Sequence, residues 1–192
     1  MRKSTITRKT NETEINVELN IDGSGITEID TGIGFLNHML ELLGFHAGLD
    51  LKIKCAGDLD VDTHHTSEDI GIALGQSFRE ALGDKKGIER YGFMLLPMDE
   101  TLARVALDFS GRPHLAYKVD LKRDMIGSMA AEDFKEFFNG FVNNSLCTLH
   151  MEVLYGENDH HKIEAVFKGF GRALRTAVRI TSDNLQSTKG VL

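Results

Sequence analysis

A chain of 192 residues that is 41% hydrophobic holds enough apolar material for one compact core. Its net charge of −7, with acids and bases scattered and no run of either sign, counts against nucleic-acid binding through a basic face. No apolar stretch approaches the ~20 residues that span a bilayer, and the N-terminal MRKSTITRKTNETE has neither the apolar segment of a secretory leader nor a transit-peptide profile. Cys55 and Cys147 are isolated in apolar, strand-like surroundings and form no CxxC pair. That usage fits buried reduced thiols and predicts a cytoplasmic protein.

In chain order, period-two alternation of Ile15, Val17 and Leu19 predicts a strand over 13–21 with one buried face. Apolar residues at helical spacing predict a helix over 33–46, followed by a short apolar strand over 49–55. Asp62 and Thr63 are cap-type residues ahead of a longer helix whose stripe is Ile70, Leu74, Phe78 and Ala81. The pattern then begins again. Ala103, Val105 and Leu107 alternate over 101–109; 131–144 has helical spacing; 146–154 is a strand. Asn158 and Asp159 precede a helix striped by Val166, Phe170, Leu174 and Ala177. With only 2 prolines and no low-complexity linker, the chain is expected to be a single compact domain, 1–192, built from two repeats of about 1–87 and 88–192. The fold class expected is α+β: two similar halves, each a small sheet with two helices packed on one face.

The repeat carries chemistry. His64-His65-Thr66-Ser67-Glu68 recurs as His160-His161-Lys162-Ile163-Glu164. Imidazole and carboxylate are common ligands for divalent transition ions. Residues i and i+4 share one helical stripe, so His64 with Glu68, and His160 with Glu164, can each close on one ion. His65 and His161 point away, free to complete the other copy's set in a pseudo-twofold arrangement. His38 and Glu136 occupy matching positions on the shorter helices and offer a fourth ligand to each. Two histidines with one or two carboxylates suit manganese or ferrous iron, with zinc or cobalt able to substitute. One HHxxE at a helix start is commonly a cap with solvated polar residues, but recurrence in register favours ligands. The order is neither the HExxH of zinc proteases nor the ExxH of di-iron bundles, and no nucleotide-binding glycine motif occurs.

The segments TGIGFLNHML, DVDTHHTSEDIGIALG, PMDETLARV, DFSGRP, NDHHKIEAVFKGFGRALR and STKGVL together resemble the imidazoleglycerol-phosphate dehydratases of histidine biosynthesis, in order and over essentially the whole chain. The resemblance implies a duplicated fold like ribosomal protein S5 domain 2, two manganese ions (Mn2+) per active site, and active sites at subunit interfaces of a homo-oligomeric 24-mer built from trimers. It assigns His38, His65, His160 and Glu164 to one manganese, and His64, Glu68, His161 and Glu136 to the other. Many members have His where this chain has Glu136.

The implied substrate is a small imidazole bearing a glycerol phosphate, dehydrated to a ketone. Its departing carbon-bound proton is not beside a carbonyl, so the metals are implied to favour an imidazolate that expels the side-chain hydroxyl. The resemblance points to Glu12 as principal acid/base and to His38 at the active site; His46, eight residues past His38 near the same helical face, is expected to contact the substrate. Asp99 and Glu100, the repeat mates of the Glu12 region, are expected to be structural. Arg90, Arg112, Lys168, Ser187 and Lys189 fall at the phosphate-contact positions, and the C-terminal tail is expected to order over the phosphate. Lys168 has support from spacing as well, since it continues the stripe of His160 and Glu164. Two other readings compete: a di-metal phosphate-ester hydrolase, and a shell protein whose metals only staple subunits. Glu12 with the cation set disfavours stapling, because a structural site needs no phosphate anchor.

Overall fold

The computed structural model describes all of residues 1–192. The first half runs β1 (Lys3–Lys9), β2 (Thr13–Asn20), β3 (Thr27–Asp30), α1 (Gly34–Ala47), β4 (Asp50–Gly57) and α2 (His64–Leu82). The second runs β5 (Tyr91–Met98), β6 (Thr101–Asp108), β7 (His114–Lys118), then a hairpin of β8 (Met125–Ile126) and β9 (Met129–Ala130), then α3 (Asp133–Ser145), β10 (Thr148–Tyr155) and α4 (Asp159–Ala177). The hairpin is the one element with no counterpart in the first half.

The two sheets share one topology. Their orders are β1-β2-β4-β3 and β5-β6-β10-β7, with β3 parallel to β4 and β7 parallel to β10. In β2 and β6 the alternating Ile15, Val17, Leu19 and Ala103, Val105, Leu107 are buried, as half-buried strands require. All four helices lie on the inner faces, and one continuous cluster of 45 buried residues draws on both halves. Its centre is aromatic: Phe137, Phe138 and Phe141 of α3 meet Phe167 and Phe170 of α4 with ring centroids 5.0–5.6 Å apart.

The helices pair across the halves, α1 with α4 and α2 with α3. Glycine permits both approaches. A Cβ on Gly71 would lie 2.2 Å from the Phe137 carbonyl oxygen, and one on Gly140 2.6 Å from that of Glu68. At the other crossing, a Cβ on Gly171 would lie 2.9 Å from the Leu43 carbonyl. This pairing sets the site, because it lays His38 of α1 beside the first turns of α4 and Glu136 of α3 beside those of α2.

One helix start differs from expectation. The backbone N–H of His64 donates to Asp62 Oδ1 (2.8 Å), as that of His160 does to Asn158 Oδ1 (3.0 Å). Thr63 caps nothing; its hydroxyl donates to Asp133 of the neighbouring helix instead.

Candidate active site

Three ligand-type side chains converge where α1 meets α4. The imidazoles of His38 and His160 and the Glu164 carboxylate present donor atoms all within 4.8 Å of one another. Both Nε2 atoms face the same carboxylate oxygen, at 3.9 Å and 2.9 Å. The stripe of α4 delivers His160 and Glu164 together, and α1 is set by the Thr31-to-Asn37 segment. There the Thr31 N–H and hydroxyl both donate to Asn37 Oδ1, at 2.9 and 2.6 Å, while Gly32 supplies a φ of +77°. Phe35 lies edge-on to the His160 ring, centroids 5.1 Å apart, and fixes its plane. Lys168 Nζ donates to Glu164 Oε1 at 2.6 Å. Burial would raise the Glu164 pKa, but Lys168 and His160 outweigh it and hold the carboxyl below its usual range. Two imidazoles and an anionic carboxylate around a shared gap form a suitable donor set for a divalent ion.

The pseudo-symmetric position, where α3 meets α2, is arranged differently. His64 Nδ1 lies 3.4 Å from the buried Asp133, and Glu136 accepts from Asn139 at 3.0 Å. His64, Glu68 and Glu136 do not converge as the first three residues do. Asp133 takes the place of Phe35, and Ile72 the place of Lys168. Sequence reasoning missed Phe35 and Asp133, since neither residue type at a helix start signals an orienting role.

The remaining imidazoles share a signature. His65 Nδ1 is paired with Asp58 Oδ2 (3.0 Å) and His161 Nδ1 with Glu100 Oε2 (2.7 Å). A carboxylate on Nδ1 leaves Nε2 available and orients it, the outer support that metal-bound histidines commonly have. Those carboxylates raise the pKa of both rings. No ion pair or hydrogen bond joins His65 to the His38 cluster, or His161 to the His64 set, within this chain. The group whose donor atoms lie within 4.8 Å of one another is His38, His160 and Glu164, without His65.

The two carboxylates at matching turns have diverged. Glu100 is fully employed: besides His161, it accepts from the N–H groups of Glu157 (3.1 Å) and Asn158 (2.8 Å), which lowers its pKa. In the first half Asp58 supports His65, so Glu12 is released. Its carboxylate lies 3.7 Å from His65 Nε2, is half exposed, and accepts no hydrogen bond. Asp58 was not singled out by sequence, because nothing in the run of Asp58, Asp60 and Asp62 marks which acid meets His65.

The cationic residues fall into two groups. Lys168 lies at the His38 cluster, with His46 close enough to feel it: burial first, then the Lys168 and Arg172 charges, lower the His46 pKa. Arg90, just ahead of β5, contacts the C-terminal tail. It forms a two-point pair with Asp108 (2.7 and 3.1 Å) and donates to the Gln186 carbonyl at 2.7 Å. Arg112 lies at the Ser110 turn, where adjacent Gly111 abuts Leu192. Ser187 accepts from the Lys189 N–H and donates to the Val191 carbonyl. The tail thus packs against Arg90 and the Ser110 turn, and no hydrogen bond or ion pair joins this group to Lys168 within one chain.

The chain is similar to known proteins over its whole length. Residues 31–174 match the family model of imidazoleglycerol-phosphate dehydratase. Proteins of that name from Clostridioides difficile strain 630 and Clostridium botulinum strain Alaska E43 are 58% and 53% identical over 192 residues, covering all of this chain and 100% and 98% of theirs. Among solved structures, the Staphylococcus aureus N315 enzyme superposes with a TM-score of 0.85 at 44% identity, covering 93% of this chain and 99% of its own. That from Pyrococcus furiosus, in complex with (S)-C348, gives 0.84 at 40%, covering 97% and 100%. The chain belongs to the imidazoleglycerol-phosphate dehydratase family, metal-dependent hydro-lyases of histidine biosynthesis.

Proposed function

We propose that this enzyme dehydrates D-erythro-imidazoleglycerol phosphate to imidazole acetol phosphate at a two-manganese site shared between chains. One ligand set is His38, His160 and Glu164 with His65 of a neighbouring subunit; the other is His64, Glu68 and Glu136 with a neighbour's His161. The convergence of three donors at α1 and α4, with the completing imidazoles held elsewhere in the chain, supports a site divided between subunits. A homo-oligomer follows from that division, and a 24-mer in the cytoplasm is the form we propose. No helix is long and apolar enough to cross a membrane.

When bound, the two ions supply Lewis acidity that favours the imidazolate form of the substrate ring. The side-chain hydroxyl leaves as water, taking the proton that the ring nitrogen gives up. Glu12, an unengaged carboxylate, accepts the carbon-bound proton. As the resulting acid it returns that proton to carbon as the enol becomes the ketone, and the enol O–H proton goes back to the ring. His38 orients the ring, and His46, its pKa lowered, stands by as a neutral imidazole. Lys168, Arg90, Arg112, Ser187 and Lys189 hold the phosphate, whose geometry suits guanidinium forks. On docking, Arg90 exchanges its Gln186 contact for phosphate oxygens.

The single observation that carries this reading is the release of Glu12 from the structural duty its mate Glu100 performs. Incubation with imidazoleglycerol phosphate and manganese tests it. Ketone formation is the expected result. Free phosphate would indicate a hydrolase, and no reaction would leave the metals a stapling role.

A further inference from the structure

The turn that carries Glu12 is tied to a buried charge that the reaction itself does not use. Thr10 closes the β1–β2 turn: its N–H donates to the Thr13 carbonyl (2.9 Å), and its hydroxyl accepts from the N–H groups of Glu12 (3.1 Å) and Thr13 (3.0 Å). The Thr13 hydroxyl then donates to Asp69 Oδ2 at 2.6 Å, and Arg8 Nη1 reaches the same oxygen at 2.6 Å. Asp69 is only 5% exposed and Thr13 3%. A buried carboxylate is a costly group to keep for stability alone, since an apolar replacement of its pair is often no worse.

The second half lacks the device at its own turn, where the exposed Asp99 lies 3.8 Å from His161 Nε2. By the repeat, Ala165 stands for Asp69 and Leu96 for Arg8, and the Thr101 hydroxyl donates to Glu100 instead. The charged clamp is present only at the turn that carries Glu12. We propose that Asp69, bridging Arg8 and Thr13, is a positioning residue that fixes the Thr10–Thr13 turn and aims Glu12 at the substrate. This rests on the acid/base role given to Glu12 above.

Three variants test it in the assembled, manganese-loaded enzyme: Thr13→Val, Thr13→Ser and Asp69→Asn. Thr13→Val and Asp69→Asn each lower kcat roughly 10- to 100-fold, the scale of a misplacement near 1 Å, with KM, manganese content and assembly unchanged. Thr13→Ser, which keeps the hydroxyl, restores kcat. In a Glu12→Gln background, Thr13→Val costs nothing further, because the group it aims is gone. Unchanged kcat in Thr13→Val and Asp69→Asn overturns the proposal. So does a kcat loss that tracks lost manganese or assembly, a Thr13→Ser variant as poor as Thr13→Val, or an additive loss in the Glu12→Gln background. If Glu12→Gln itself turns over normally, it is the acid/base reading that fails, and that result is separate.

Discussion

The two halves of this chain share a sheet order, a helix order and a histidine-pair motif, yet their matching turns do opposite things. Glu100 is consumed by His161 and two backbone N–H groups, while the Glu12 carboxylate accepts no hydrogen bond and lies 3.7 Å from His65 Nε2. Asp58 makes the difference, supplying in the first half the imidazole support that Glu100 supplies in the second. The helix junctions diverge in the same way. One surrounds His160 with Phe35 and Lys168; the other sets Asp133 against His64 and offers Ile72 in place of the lysine. On the proposed function, divergence around the two duplicated ligand sets distinguishes Glu12 and Lys168 from their repeat mates Glu100 and Ile72.

The comparison breaks most visibly at the two glutamates. Glu12→Gln is expected to keep fold and manganese but lose roughly 10²–10⁴ in kcat, the usual worth of a general acid/base. Glu100→Gln should instead weaken metal binding by about 10- to 100-fold, as loss of an outer-shell carboxylate does. Metal titration and steady-state rates on both variants check this; equal rate losses at equal metal occupancy would erase the distinction.

The helix crossings offer a structural contrast. Gly71→Ala forces a Cβ to 2.2 Å from the Phe137 carbonyl, whereas Gly171→Ala meets the Leu43 carbonyl at 2.9 Å. Overpacking costs about 1–3 kcal/mol, and the gain in helix propensity offsets up to about 1 kcal/mol of it. Thermal unfolding should therefore rank Gly71→Ala well below Gly171→Ala in stability, and the reverse order would misplace the tight crossing.

The smallest effect is in pH. His65 and His161 have pKa values raised by Asp58 and Glu100. In metal-free protein they contribute stability that is fully present below the unfolded value of about 6.5 and is lost as pH rises through the raised folded value. Manganese needs the neutral rings, so binding strengthens over the same rise. Denaturant midpoints against pH, with and without manganese, should run in opposite directions; parallel curves would deny both rings a ligand role.

Most of the fold was legible because periodicity encodes it: the strands expected at 13–21 and 101–109 are Thr13–Asn20 and Thr101–Asp108. The His160, Glu164 and Lys168 stripe was legible for the same reason. The exchange of helix partners was not, because a stripe shows that a face is buried and not what buries it. Thr63 illustrates the gap: its local context reads as a cap, yet its partner is Asp133, distant in sequence. Asp58 and Asp69 were passed over on the same grounds. An acid among other acids acquires meaning only from the chain segment that folds against it.

Metal stoichiometry tests the paired ligand sets most directly. Elemental analysis of the assembled enzyme should give two manganese equivalents per chain, and one equivalent in each of His160→Ala and His64→Ala. Two equivalents retained by both variants would contradict the account.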